Sequence, residues 1–376
     1  MKDAEVLLVQ TLKIKRTDLT VALAKMNDYK KIKVPKKRGG FRTIYIPPSS
    51  LKIIQRLILR KLFYHLHTWK PPEICGLYRG TLFFTNAWLH RNNRWVFQLD
   101  LADAFPSASV ELLRKIIEDK VNRELCQLFR DELEVRGPAS VFQRTRWGNN
   151  LSEQFTFPSF CQEFPNLHKE ITDLIMRLTT FRGLVPQGTP TAPFLFYLVL
   201  VDRLWSDFSS VFPWFPEKQD KFQFAKSVYV DGFVASAQKP IPEENRRAAI
   251  KAVESAGFKV NPQKVSHRDV RQGNVLITGL RVIHRRDGQN YVVFPKRKIR
   301  KWRGLIHRAI YEPELRPKAL GIVAGLRPIY HSADFPPDLD LPSEIAPYTP
   351  PFPSQLKKPY KQLLQQIQKE KENARP

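Results

Sequence analysis

Two aspartates in this 376-residue chain lie where carboxylates can do metal chemistry. Asp100 falls in QLDLADAF (98–105), at the end of a strand-like run that would put its carboxylate at a strand tip. Asp231 falls in SVYVDGFVAS (227–236), where Val228, Val230, Phe233 and Val234 flank Asp231-Gly232, a dipeptide suited to a tight hairpin turn. Hard divalent cations want carboxylate oxygens on rigid supports. Joining nucleotides needs two such cations, one activating a 3′-hydroxyl and one steadying the triphosphate and the leaving pyrophosphate. Each segment alone says less, because an Asp-Gly pair between apolar residues is most often only a turn.

Between them lies FRGLVPQGTPTAPFLFYLVLVDRL (181–204), with the run Pro186-Gln187-Gly188-Thr189-Pro190-Thr191-Ala192-Pro193. A Gly/Pro/Thr-rich entry into a long apolar helix offers a rigid surface for a base pair. A loop leading into a buried helix has the same composition but does not account for the ordered set.

The elements that must position these residues follow from periodicity. Residues 3–26 predict one or two short helices, with Thr17 or Asp18 as N-cap, and 32–46 predict a β-hairpin turning at Gly39-Gly40. A helix from Ser49 or Ser50 carries Leu, Ile and Phe at helical spacing. A strand at 94–101 runs into a helix near SVELLRKIIEDK, and 120–165 is irregular. Helices are expected at 167–180, 191–209 and 242–256, a hairpin around Asp231, short strands over 275–294, and a basic helix from Lys296 to Ile310. The proline-rich stretch from about 333 should be extended, leading to a polar tail that either packs on the main body or stays partly disordered.

Charge indicates the partner. Lys and Arg number 62 against 36 Asp and Glu, a formal net charge of +26, which favours a polyanion because each neutralised phosphate releases counterions. A ribosomal or scaffold protein would share this property. No uncharged apolar run reaches the roughly 18 residues of a membrane span. Cys75, Cys126 and Cys161 are too few and too scattered for a disulfide framework or a zinc site, so a cytoplasmic location is expected.

The ordered motifs resemble those of reverse transcriptases. PQGTPTAP resembles motif B (LPQGxPTSP), QLDLADAFPS motif A, and YVDG motif C, which normally reads YADD. KKRGGFRTIYIP resembles the fingers hairpin, LKIIQRLIL the helix after it, AGFKVNPQKV (256–265) motif D, and ITGLRV (277–282) motif E at the primer grip. TNAWLH (85–90) matches the NAxxH element of retron-type bacterial enzymes, and Ile277-Thr278-Gly279 is close to their VTG element; alone, Asn86 could be a cap and His90 a helix-end histidine.

The resemblance implies an α+β right-hand polymerase fold. It has a helical segment at 1–29, fingers at 30–95 and 120–190, palm at 96–119 and 191–282, thumb at 283–332, and a linker and basic tail at 333–376. It implies that Asp100 and Asp231, with Leu101, hold two Mg²⁺ ions, Mn²⁺ being an alternative. Lys37 and Arg42 would grip the triphosphate, with Lys36 or Arg38 as substitutes. Phe105 would exclude a 2′-hydroxyl, Gln187 would contact nucleotide or template, and Lys264 would give a proton to the pyrophosphate. Asn86, His90 and the helix bearing Lys296, Arg297, Lys298, Arg300, Lys301, Trp302 and Arg303 would bind nucleic acid. A solvated helix face anchored by Trp302 would look the same in the sequence. Arg144, Arg146 and Trp147 are further candidates for RNA or protein contact.

The implied activity is RNA-directed DNA synthesis from deoxynucleotides on a structured non-coding RNA. The product would be single-stranded DNA in a bacterial anti-phage system, with an effector protein or a second copy of the chain as possible partner. Gly232 departs from the family, which places a second aspartate there. It opens the reading of an RNA-binding scaffold with a disabled site; an untemplated or self-templated DNA synthesiser that uses the same aspartates is a separate alternative.

Overall fold

The computed structural model describes residues 3–36, 39–63, 73–76, 83–121, 167–213, 224–272, 275–284, 290–326 and 353–373. Lys37 and Arg38 lie outside these residues, as do Arg144, Arg146, Trp147, nearly all of the irregular 120–165 segment and the proline-rich stretch up to 352.

Helices α1 (Asp3–Leu12) and α2 (Arg16–Ala24) precede the hairpin of β1 (Lys30–Pro35) and β2 (Phe41–Ile46). Lys15, not Thr17 or Asp18, is the N-cap of α2; Asp18 sits one turn in, and its carboxylate accepts from the Lys15 amide at 3.2 Å. Helix α3 (Ser49–Ile58) is followed by β3 (Ile74–Cys75), α4 (Phe83–Trp88), β4 (Trp95–Ala102), α5 (Ala104–Ser107) and α6 (Val110–Ile116). Next come α7 (Leu167–Thr179), α8 (Ala192–Leu200), α9 (Ser206–Val211), β5 (Ala225–Tyr229), β6 (Gly232–Ala237) and α10 (Glu243–Ser255). The short strands β7 (Lys259–Val260), β8 (Ser266–Asp269), β9 (Arg281–His284) and β10 (Asn290–Val293) lead to α11 (Lys296–Tyr311), α12 (Arg316–Leu326) and α13 (Ser354–Asn373).

The architecture is mixed helix and sheet, with mainly antiparallel pairing, in keeping with the α+β expectation. The central sheet runs β3-β5-β6-β4-β7, and β8 pairs with β4 on the same edge as β7. Because side chains alternate across a strand, this sheet has two distinct faces. Phe97, Leu99 and Leu101 of β4 join Phe233, Ala235 and Ala237 of β6 on one face, in the main core with Phe194, Phe196 and Phe208. On the other face lie Val96, Gln98 and Asp100, opposite Ser236, Val234 and Gly232. Val96 and Val234 of that face pack into a second core with Phe84 and Trp88 of α4. Helix α4 therefore covers this face at one end and leaves Asp100 uncovered at the other.

The second core continues through Ile299, Ile306 and Ile310 of α11, Ala319 and Val323 of α12, and Leu356 and Leu363 of α13. The polar tail is thus a helix packed on the basic helix, and Arg316 and Glu370 form an ion pair between α12 and α13. No helix among the described residues is long and apolar enough to cross a membrane.

Candidate active site

Strand β4 brings Asp100 opposite Gly232, the first residue of β6. The Leu101 amide donates to the Asp231 carbonyl at 2.9 Å, which ties the two aspartate segments together directly. The hairpin is not the Asp-Gly turn that the sequence suggested. Tyr229 pairs with Gly232, so Val230 and Asp231 form the two-residue loop, and Val230 takes the left-handed conformation at φ 58°. Gly232 is not in that region. The pairing of β5 with β6 fixes the loop one residue earlier and places a β-branched residue where strain is expected. Asp231 is thereby held at the tip, beside Asp100.

Proximity and partial burial act on Asp231. Burial first, and then the negative charge of Asp100, raise its carboxyl above the ordinary carboxylate range, while Lys264 and Arg42 pull the other way. A divalent cation would remove both penalties, and oxygen donors suit Mg²⁺ or Mn²⁺. Among the described residues, no three or more His, Cys, Asp and Glu are grouped so as to hold a metal ion by themselves. A Mg²⁺ site needs only one or two carboxylates, the rest coming from water and substrate phosphate, so the two aspartates fit it. The side chain of Leu101 is apolar and buried, leaving only its main-chain oxygen as a potential ligand.

Lys264 lies in a short 3-10 turn, Pro262–Lys264, capped by the Asn261 side chain, and its ammonium forms an ion pair with Asp100. The Asn261 amide donates to the Asp100 carbonyl at 2.8 Å, which locks this turn to the strand end. Phe105 is half-buried, its ring 5.3 Å from that of Phe196 on α8. Arg42 is exposed on β2, near enough to act on Asp231, and Lys36 meets Asp103 at 3.4 Å.

Nothing in the sequence indicates how the first hairpin meets the glycine-rich run. The Tyr45 amide of β2 donates to the Gln187 carbonyl at 2.8 Å. Gly188 has φ 107°, and a Cβ there would stand 2.6 Å from Ile44 Cγ2 and 3.0 Å from the Tyr45 carbonyl oxygen. Only glycine allows so close an approach in that conformation.

Asn86 and His90, expected at nucleic acid, are instead buried at 1% and 0% exposure. His90 Nε2 and Nδ1 each lie 2.7 Å from a hydroxyl, that of Ser227 on β5 and that of Ser236 on β6. The Ser227 hydroxyl donates to Asn86 Oδ1 at 2.6 Å, and Asn93 Nδ2 donates to the Ser236 hydroxyl at 2.9 Å. Side chains so enclosed do not meet a nucleic acid. Burial pushes His90 down to about 3, so it is neutral.

On α11, Lys296, Arg297, Arg300, Lys301 and Arg303 are exposed. Trp302 is half-buried, edge-on to Phe294 with ring centroids 4.6 Å apart, so it anchors the helix. The Lys298 ammonium lies 4.5 Å from the centre of the Phe294 ring and 5.0 Å from that of Trp302.

Comparison with known proteins agrees with this geometry. A family model described as "Reverse transcriptase (RNA-dependent DNA polymerase)" matches residues 34–282. The Retron Ec73 reverse transcriptase of Escherichia coli is 25% identical over 314 residues, 80% of this chain and 83% of that protein. The Retron Mx162 reverse transcriptase of Myxococcus xanthus is 23% identical over 315 residues, 80% of this chain, and the match covers 57% of its own length. The Retron Mx65 reverse transcriptase of the same organism is 24% identical over 261 residues, 69% of this chain and 52% of that protein. With two aspartates joined at the tips of β4 and the β5–β6 hairpin inside a family match that spans most of the chain, the protein belongs to the reverse transcriptases, RNA-directed DNA polymerases, and the relatives it resembles are retron enzymes of bacteria.

Proposed function

We propose that the chain copies a structured non-coding RNA into single-stranded DNA by deoxynucleotide transfer at Asp100 and Asp231. The observation that carries this reading is the joining of the two aspartates on adjacent strands, with Lys264 alongside. Bound between them, two Mg²⁺ ions, or Mn²⁺ in their place, would activate the primer 3′-hydroxyl and neutralise the triphosphate. Asp100 and Asp231 would hold the ions, with the Leu101 main-chain oxygen as a third donor. Lys264 supplies a proton to the departing pyrophosphate, its ammonium passing from Asp100 to the phosphate. Arg42, with Lys37, Lys36 or Arg38, binds the triphosphate from the first hairpin. Gln187 faces the nucleotide or template from a loop that the Tyr45 amide holds, and Phe105, braced by Phe196, excludes a 2′-hydroxyl.

In this reading 30–95 and 120–190 are the fingers, 96–119 and 191–282 the palm, and 283–332 the thumb, which α13 extends. The exposed cations of α11 bind template–primer or structured RNA, in keeping with the net charge of +26. The setting proposed with this reading is a bacterial cytoplasm and anti-phage defence, with an effector protein or a second copy as partner.

Two other readings stay open: synthesis without an external template at the same aspartates, and, because of Gly232, RNA binding without catalysis. The test is deoxynucleotide incorporation by the purified protein, with its co-purifying nucleic acid and Mg²⁺ or Mn²⁺, beside Asp231→Ala and Gly232→Asp. Incorporation that Asp231→Ala abolishes and RNase prevents supports the proposal. RNase-resistant synthesis favours the untemplated enzyme. Incorporation by Gly232→Asp alone, or by none of the three, favours the binding protein.

A further inference from the structure

We infer that Asn86, His90, Ser227 and Ser236 form a buried clamp that sets the position of the Asp231 hairpin, so that the histidine region acts on catalysis through protein and not through nucleic acid. The inference rests on the polymerase reading of Asp231.

The hydrogen bonds form one directed chain. The Ser227 hydroxyl gives its proton to Asn86, so it must accept from His90 Nε2–H. A neutral imidazole then has Nδ1 free to accept, and the Ser236 hydroxyl supplies that proton while accepting from Asn93 Nδ2. Reversing the direction would leave the Ser236 hydroxyl proton with no acceptor in the chain. Polar groups this deeply buried are costly to leave unpaired, so the arrangement resists displacement of either strand.

Placement gives the clamp its purpose. Ser227 and Ser236 lie on the two arms of one hairpin and on the sheet face that carries Asp100. Ser227 lies four residues before Asp231 and Ser236 four residues after Gly232, roughly 13 Å of strand in each case. One imidazole thus ties both arms at a fixed separation, and α4 presses the pair from outside. The loop those arms hold is the strained one, with Val230 at φ 58°. Such a conformation persists only where its surroundings over-determine it.

The same helix has a second tether. The Thr278 hydroxyl, in the turn between Ile277 and Leu280, donates to the carbonyl of Phe83, the first residue of α4, at 2.6 Å. The NAxxH and Ile-Thr-Gly segments therefore meet at one short helix and the turn that follows it, the first gripping the catalytic hairpin and the second gripping the helix. His90 and its partners are positioning residues, because none of their side chains reaches the reacting atoms.

The experiment uses the full chain with Ser227→Ala, Ser236→Ala, His90→Ala and His90→Gln. Three quantities are read: amide hydrogen exchange over 225–237, the Mg²⁺ concentration for half-maximal incorporation on poly(rA)·oligo(dT), and the affinity for that primer–template. The clamp predicts faster exchange confined to the hairpin and a Mg²⁺ requirement raised about tenfold, as when a group that orients a metal ligand is removed. It also predicts unchanged primer–template affinity and partial recovery in His90→Gln, whose amide can donate to Ser227. Weaker primer–template binding with hairpin exchange and Mg²⁺ requirement unchanged would overturn it, by returning His90 to the nucleic acid. Faster exchange with an unchanged Mg²⁺ requirement would overturn it too, leaving a fold-stabilising network with no hold on the metal site. If His90→Ala fails to fold, the serine variants, each short of one hydroxyl, decide. Wild-type protein that incorporates nothing would refute the polymerase reading. Mn²⁺ binding would then replace the incorporation arm, with a weakened Mn²⁺ affinity in the variants supporting the clamp and an unchanged one refuting it.

Discussion

Gly232 faces Asp100 across the ladder of β4 and β6, and a Cβ placed on residue 232 would lie 3.5 Å from Asp100 Oδ1. That is an ordinary separation, and the backbone there needs no glycine. The missing second aspartate is therefore not a steric necessity. Gly232→Asp should fold and bring a third carboxylate to the pair. Without metal it should be less stable than wild type by on the order of 1–2 kcal/mol, from like charges at close range beside solvent. With Mg²⁺ the order should reverse, and the Mg²⁺ needed for half-maximal incorporation should fall. Paired thermal melts with and without Mg²⁺ check this; a variant equally destabilised in both would mean the added carboxylate never meets the cation.

Asp231 offers a second test, through pH. Burial and the neighbouring Asp100 raise its folded-state pKa above the unfolded value. Its folded form therefore holds a proton that the unfolded chain has already released, and stability falls as pH rises through that window. At neutral pH without metal, Asp231→Asn should be more stable than wild type, and the difference should close below the ordinary carboxylate range near pH 4. The same variant should lose incorporation. Denaturant melts in chelator across pH 3–8 measure the effect, and a difference that ignores pH would remove the electrostatic explanation.

The sequence carried these aspartates clearly because strand alternation and turn chemistry are local. It carried the hairpin register less well: Asp-Gly is the better turn former, yet long-range pairing with β4 and β5 puts the loop at Val230-Asp231. The role of His90 was not legible at all, since a spacing of four between Asn86 and His90 says nothing about Ser227 and Ser236, some 140 residues away. A buried hydroxyl pair on two strands, one residue type repeated on the same face, was the available signal. Trp302 was undecided for a related reason. Its place among cations left it either on a nucleic-acid-binding helix or as the anchor of a solvated face, and the ring packing with Phe294, just after β10, makes it the anchor.

Gly188 joins the first hairpin to the loop before α8. Gly188→Ala would meet both the positive φ and the close approach of Ile44 and Tyr45, so the Tyr45–Gln187 hydrogen bond should break. The expected loss is about 1–3 kcal/mol of stability from strain of this kind. Deoxynucleotide KM should rise, because Gln187 and Arg42 lose their common support. Gly183→Ala is a useful comparison: it also has positive φ, but its Cβ would meet nothing within 4 Å. A like effect on KM from both would show that backbone strain, not docking of the hairpin, governs nucleotide binding.

The basic helix can be divided by what each side chain does. Arg300 and Arg303 are exposed, whereas Trp302 is packed and Arg308 is bound to Glu312 at 2.8 Å and 2.6 Å. Replacing Arg300 and Arg303 with alanine should leave the melting temperature nearly unchanged and weaken RNA binding. The slope of log affinity against log salt should become shallower by about 0.7–0.9 for each phosphate that is no longer neutralised. Trp302→Ala should do the opposite, lowering stability by removing its packing on Phe294 while the salt slope is kept. Salt titrations of RNA binding beside thermal melts separate the two. If the arginine variant keeps the wild-type slope, the cations of α11 form a solvated face, and the polyanion is held elsewhere on the +26 surface.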